Sequence, residues 1–233
     1  MTRRVLVTGA SRGLGVALAD SFAKRGALVF AGARDARPSL DRVVAAHPRL
    51  VVPVTLDVAS AESVSRALSA VAAEVPAIDI LIHNAAIRSP SVSQPIESID
   101  FGDVARTFDV NSIGPLRVTQ AFLPLLRLGN APVLVHVSSE AGSIGRCWRD
   151  REFDYCMSKA AMNMATALLG NYLRGKVRVL SLHPGWLRTD MGVANAALDP
   201  EATADSIVEL ILRESESPSG PAFLDHEGRT LPW

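Results

Sequence analysis

Cysteine is scarce in this chain: Cys147 and Cys156 are the only two among 233 residues. Neither has a His or Cys at metal-ligand spacing around it, so neither a metal centre nor a disulfide framework is expected. A reduced, cytoplasmic setting is the economical reading. Net charge is lacking as well, because 24 basic and 24 acidic residues cancel. That removes the electrostatic case for a nucleic-acid partner or an anionic membrane surface and leaves a small molecule as the expected partner. No long apolar run opens the sequence. "RRVLVTG" is far too short for a signal-peptide core or a membrane span, so Arg3 and Arg4 do not read as an export signal. Repeats are missing, and the longest biased tract, "RESESPSGP", reads as a polar loop. With no shift in composition to mark a boundary, residues 1–233 are expected to form a single domain. A chain of this length can bury roughly 70 to 75% of its unfolded surface without disulfides or a metal.

Lysine and tyrosine are rare too. There are three lysines against 21 arginines, and two tyrosines, yet "DYCMSK" (154–159) places one of each four residues apart. Four residues is one helical turn, so in a helix Tyr155 and Lys159 share a face. The flanks favour that helix. Met157 to Leu169 is rich in Ala, Met and Leu, and Gly170 or Gly175 supplies a stop.

Along the chain, short apolar runs alternate with helix-length segments. Strands are expected at 3–8, 27–32, 50–56, 78–83, 132–138, 177–183 and, more weakly, 220–224. Helices are expected at 13–25, 38–46, 60–74, 101–128, 153–174 and 201–213. Several runs are apolar nearly throughout, as in parallel strands covered on both faces. The pattern predicts an α/β fold: a doubly wound, Rossmann-type, mostly parallel sheet of about seven strands with helices on both faces. Ligands of such sheets bind beyond the carboxyl ends of the strands.

At the first of those ends stands "TGASRGLG", Thr8 to Gly15, in the order strand, glycine turn, helix. Gly9, Gly13 and Gly15 allow unusual dihedrals and close backbone approach, and the free amides of the helix start can hold a pyrophosphate. This turn followed by a later Tyr-x-x-x-Lys resembles the short-chain dehydrogenase/reductase family, and the likeness spans essentially the whole chain. Asp57 in "LDV" matches the residue that contacts adenine, next to Val58. "HNAA" resembles the family's Asn-Asn-Ala-Gly at Asn84, Ala85 and Ala86, with His83 and Ala86 as departures. "DVNSIGP" places Asn111 at the catalytic asparagine, "VSSEAG" matches the serine motif, and "HPGWLRTDM" matches the segment that closes over nicotinamide, with Pro184, Gly185 and Thr189. Beyond its carbonyl-reductase-like features, the subgroup it resembles also includes developmental signalling proteins.

The resemblance implies a hydride transfer between nicotinamide and a carbonyl or alcohol, such as an aldehyde, ketone or quinone. In it, Tyr155 exchanges the proton and Lys159 lowers the phenol's pKa and grips the nicotinamide ribose. Ser139 bonds the substrate oxygen, and Asn111 holds a water of the proton relay. Ser138 is the alternative serine, but Ser139 has the Ser-x-x-Gly register with Gly142. The dinucleotide is expected across Gly9, Ser11, Arg12, Gly13, Leu14 and Gly15. The family's NAD-selecting acid, about 20 positions beyond the glycine loop, aligns with Ala33, and Arg34 follows. Arg34 and Arg12 could pair with a 2′-phosphate, so NADPH/NADP+ is expected rather than NADH, although Asp35 stands beside Arg34. Ile144, Cys147, Trp148, Trp186 and Met191 are candidate pocket residues, with core packing or a solvated loop as the competing reading. A homodimer or homotetramer paired through the long helices is expected. The rival function is a dinucleotide-sensing regulatory protein with little turnover.

Overall fold

The computed structural model describes residues 2–35, 38–188, 198–213 and 220–233. Among them, β1 (Arg4–Thr8), β2 (Leu28–Ala33), β3 (Val51–Thr55), β4 (Ile80–His83), β5 (Val133–Val137), β6 (Arg178–His183) and β7 (Ala222–Asp225) form one sheet. Its order is β3-β2-β1-β4-β5-β6-β7, and every neighbouring pair is parallel. The helices are α1 (Gly13–Lys24), α2 (Pro38–Ala46), α3 (Ala61–Glu74), α4 (Phe101–Phe108), α5 (Gly114–Arg127), α6 (Phe153–Tyr172) and α7 (Pro200–Leu212). The strands fall within a residue or two of their expected bounds, the usual scatter of element ends.

The near-continuous apolar runs have a direct cause: alternate residues of each strand enter two separate cores. Val5, Val7, Ile80, Ile82, Val133 and Val135 face Leu18 and Phe22 of α1 and Ile207, Val208 and Ile211 of α7. Leu6, Leu81 and Leu134 face the opposite way, onto Val64 and Val71 of α3 and Val118, Phe122 and Leu126 of α5. Local signals start the helices. Ser60 caps α3 by accepting from the Ser63 amide at 3.1 Å, Asp100 caps α4 from Asp103 at 2.9 Å, and Asp199 caps α7 ahead of Pro200.

The single helix expected over 101–128 is instead two, joined by a π turn at Asp109–Ile113. Pro115 has no amide hydrogen to offer the Asn111 carbonyl four residues back, and the α-helical ladder cannot continue through it. Gly114 then lets the chain pass Val58, since a Cβ there would lie 2.9 Å from Val58 Cγ2.

At the ends of β4 and β5, His83 and His136 stack with ring centroids 4.9 Å apart, both wholly buried. His83 Nε2 pairs with Thr119 Oγ1 at 2.8 Å and His136 Nδ1 with Thr166 Oγ1 at 3.0 Å. Burial drives His83 well below the ordinary imidazole range and His136 down to about 3, the latter also opposed by the charge of Lys159. Both rings therefore stay neutral in the fold while the unfolded chain takes up protons below about pH 6.5. Stability is full above that pH and is lost as pH falls below it, for His136 until about pH 3, at up to about 1.4 kcal/mol per pH unit for each ring. We expect the melting temperature to drop between about pH 7 and 5.5 and the double variant His83→Asn/His136→Asn to drop less steeply; equal slopes in thermal scans would refute this origin.

Candidate active site

Gly9, Arg34, Asp57, Asn84, Ser138 and Pro184 each follow the carboxyl end of one of the six strands β1 to β6, and all line one cleft of about 430 Å³. Its floor is the glycine turn. Gly9 and Gly13 have φ of 67° and 54°, the left-handed region that glycine enters without strain. The Asn84 amide braces this turn, donating to the Thr8 carbonyl at 3.0 Å and the Gly9 carbonyl at 3.1 Å. Thr8 Oγ1 accepts from the Asn84 and Ala85 amides, both at 3.1 Å, so β1 and β4 are tied where the turn begins. The first-turn amides of α1, beyond Arg12, have no helical partners and carry the positive end of the helix dipole.

Ser11, Arg12, Gly13, Leu14, Gly15, Val58, Ala85, Ala86, Tyr155 and Lys159 line the same cleft. Gly185 is not among its lining residues, and Thr189 and Met191 lie outside the described residues. Ala33 is buried in the core, whereas Arg34 and Asp35 are exposed at the mouth. Asp57 Oδ1 accepts from the Ala59 amide at 2.9 Å. Arg188, beyond β6, also lines the cleft and was not singled out from sequence.

The catalytic candidates meet where β5 and α6 approach. The Lys159 ammonium, 2% exposed, donates to the Val137 carbonyl at 2.9 Å and lies 5.7 Å from the centroid of the Tyr155 ring. The Tyr155 hydroxyl is hydrogen-bonded to Ser139. Ser138 turns inward, donating to Asn163 Oδ1 at 2.7 Å, so of the two serines it is Ser139 that meets the phenol.

Burial lowers Lys159 to about 8. It also pushes Tyr155 above the ordinary phenol value, against the pull of the Ser139 hydrogen bond and the charge of Arg88. The expectation of a lowered phenol thus fails in the protein alone: depth outweighs the neighbouring charges.

Asn111 is fully buried in the π turn. Its Nδ2 donates to the Ile87 carbonyl at 2.9 Å and to Ser158 Oγ at 3.1 Å, and its Oδ1 accepts from the Ile87 amide at 2.8 Å. Both amide hydrogens are used, so any water here would be held by an acceptor: the second lone pair of Oδ1, or the carbonyl that Pro115 cannot satisfy. Ser158 Oγ passes the connection on to the Tyr155 carbonyl at 2.8 Å.

Sequence reasoning missed Ser158 and Asn163. Asn163 gathers Ser138, Ser181 and the Gly142 carbonyl, fixing β5, β6 and the serine loop to α6. The available signal was their spacing, one before and four after Lys159, which keeps Asn163 on its face of the helix. Of the candidate pocket residues, Ile144, Cys147, Trp148 and Trp186 are exposed and none lines the cleft, and Trp186 Nε1 donates to Glu140 Oε1 at 3.2 Å.

Residues 3–198 match the family model described as short chain dehydrogenase. The chain is 40% identical over 158 residues to C-signal of Myxococcus xanthus, covering 67% of this chain and 93% of that one. Among solved structures it resembles an NADPH-bound carbonyl reductase from chicken fatty liver, with a TM-score of 0.90, 30% identity and coverage of 100% and 99% of the two chains. It also resembles a carbonyl reductase from Pseudomonas aeruginosa in complex with NADP, with a TM-score of 0.86, 31% identity and coverage of 100% of each chain.

Proposed function

Starting from the chain's membership of the short-chain dehydrogenase family, we propose that it is an NADPH-dependent reductase of an aldehyde, ketone or quinone. The observation that carries this reading is the convergence of Ser139, Tyr155 and Lys159 beside a cleft floored by a glycine turn. The donor set suits a phosphorylated dinucleotide: helix-start amides and glycines for the pyrophosphate, Asp57 and Val58 at the adenine end, and Arg12 and Arg34 for a 2′-phosphate, with no carboxylate at Ala33. Asn84, Ala85, Ala86 and Pro184, which line the cleft, complete the nicotinamide side. Bound there, the reduced nicotinamide would supply the hydride. Ser139 orients the substrate oxygen, Tyr155 gives its hydroxyl proton to the developing alkoxide, and Lys159 steadies the phenolate so formed. Asn111 holds the segment through which the proton is replaced.

Arg34→Glu tests the cofactor assignment without a substrate. A charge-assisted bond contributes about 1.5 to 3 kcal/mol, so the variant should lose about 10- to 100-fold in NADPH affinity while NADH is spared. An unchanged ratio of the two dissociation constants would remove Arg34 from the site.

In the same reading residues 1–233 act as one domain, in the reducing cytoplasm that two free cysteines suit. Among the described residues no helix is long and apolar enough to cross a membrane. The exposed Leu116, Met164 and Leu168 on α5 and α6 suit a homodimer or homotetramer, for which solution mass is the test. A second reading, a dinucleotide-sensing signalling protein, draws on the likeness to C-signal. Tight NADPH binding without reduction of any carbonyl in a broad panel would favour it.

A further inference from the structure

The loop after β4 brings a cation to the catalytic phenol that lies outside every motif carrying the family likeness. The Arg88 guanidinium sits 5.3 Å from the centroid of the Tyr155 ring, as near as the Lys159 ammonium at 5.7 Å. It is held there. Arg88 Nη2 donates to Glu152 Oε1, and Glu152 is the left-handed residue, φ 62°, that opens α6 three positions before Tyr155. Glu152 Oε2 also pairs with Arg149 Nε at 3.2 Å, and Arg149 Nη2 donates to Glu140 Oε1 at 2.9 Å. Glu140 directly follows Ser139 and accepts from Trp186. One ionic chain thus links the segments after β4, β5 and β6 to the start of α6. Its members are mostly removed from solvent, with side-chain exposures of 28% for Arg88 and 23% for Glu152, so salt screens their charges weakly.

We propose that Arg88 is a positioning residue for proton transfer: held by Glu152, it supplies the positive field in which the Tyr155 hydroxyl gives up and takes back its proton, and Glu152 sets how much of that field the phenol feels. A cation against the ring favours the electron-rich phenolate over the phenol. The remaining groups facing Tyr155 leave this role open. Arg149 adds positive charge from the loop before α6, Cys156 opposes the phenolate from α6, and Ser139 bonds the hydroxyl from the β5 side. Lys159 is engaged with the Val137 carbonyl, and Asp154 is engaged with Thr107.

The inference rests on Tyr155 being the proton donor, but the field is measurable without turnover. The chain has only two tyrosines, and the other, Tyr172, is exposed. The tyrosinate absorbance of Tyr155 is therefore isolated by subtracting the signal of the Tyr155→Phe variant, using rapid pH-jump mixing to record it before alkaline unfolding. Arg88→Gln should raise the midpoint by about one pH unit, and Glu152→Gln should lower it by about half a unit. Arg88→Lys, which keeps the charge, should stay within about 0.3 unit of the parent. A merely structural role would move both neutralised variants the same way or not at all, and either result overturns the proposal. If Arg88→Gln does not fold, Glu152→Gln decides alone: a midpoint that is unchanged or raised overturns it. Where a carbonyl is turned over, the alkaline limb of the kcat/KM profile should move with the midpoint. Opposed midpoint shifts in a protein that reduces nothing would uphold the role of Arg88 and sink the reductase reading instead.

Discussion

Tyr155→Phe is expected to lower carbonyl reduction by about 10³-fold while leaving the NADPH dissociation constant within about twofold, the separation produced by losing a general acid and nothing else. The phenyl ring keeps the packing and both cation contacts, at 5.3 Å from Arg88 and 5.7 Å from Lys159. What disappears is one hydroxyl, and with it the bond to Ser139 and the transferable proton. Burial holds the phenol above its ordinary value, so near neutral pH it stands ready as the acid, the form that reduction requires. The reverse oxidation requires phenolate and should rise with pH. Lys159, lowered to about 8, is still mostly charged at pH 7, so its support for the phenolate should fade above that value and bend the reductive profile downward. Single-turnover kinetics with saturating NADPH measure the step directly. A variant that turns over at near-parental rate would take Tyr155 out of the chemistry.

The sheet was legible because its strands are buried on both faces, which writes them as unbroken apolar runs such as Val5–Leu6–Val7 feeding two cores. The break at Asn111 was not read, although Pro115 stands in plain view, because periodicity carries across a π turn that shifts the helix by a single residue. Spacing placed Tyr155 and Lys159 on one helix face but could not show how deep they lie, and depth decides the direction of the phenol's pKa. His83 looked like a plain departure from the family's asparagine. Its stacking partner His136 lies on the adjacent strand, at a pairing that only the register of β4 on β5 reveals. Glu152 and Arg88 are 64 residues apart in sequence, and no local pattern joins them.

The glycine cradle yields the other large effect. Gly15→Ala should weaken NADPH binding by about 100-fold or more, roughly 3 kcal/mol, and cost about 1 to 3 kcal/mol of stability through overpacking. A Cβ at position 15 would lie 2.2 Å from the Gly9 carbonyl oxygen and 2.4 Å from Asn84 Nδ2. Neither can give way cheaply. Gly9 is pinned on its other side, where its own Cβ would meet Ala85 Cα at 2.7 Å, and the Asn84 amide is the brace that holds the Thr8 and Gly9 carbonyls. The methyl must therefore push the turn out of the shape in which its amides converge. Gly26→Ala is the matched control: its φ of 79° makes alanine costly by about 1 kcal/mol, but nothing lies within 4 Å of the added carbon and it is not among the residues lining the cleft. Calorimetric titration of both variants with NADPH separates the two causes. If loss of stability alone governed binding, the two alanines would weaken it alike; if the turn is the cradle, only Gly15→Ala does, and Gly26→Ala binds as the parent does while melting earlier.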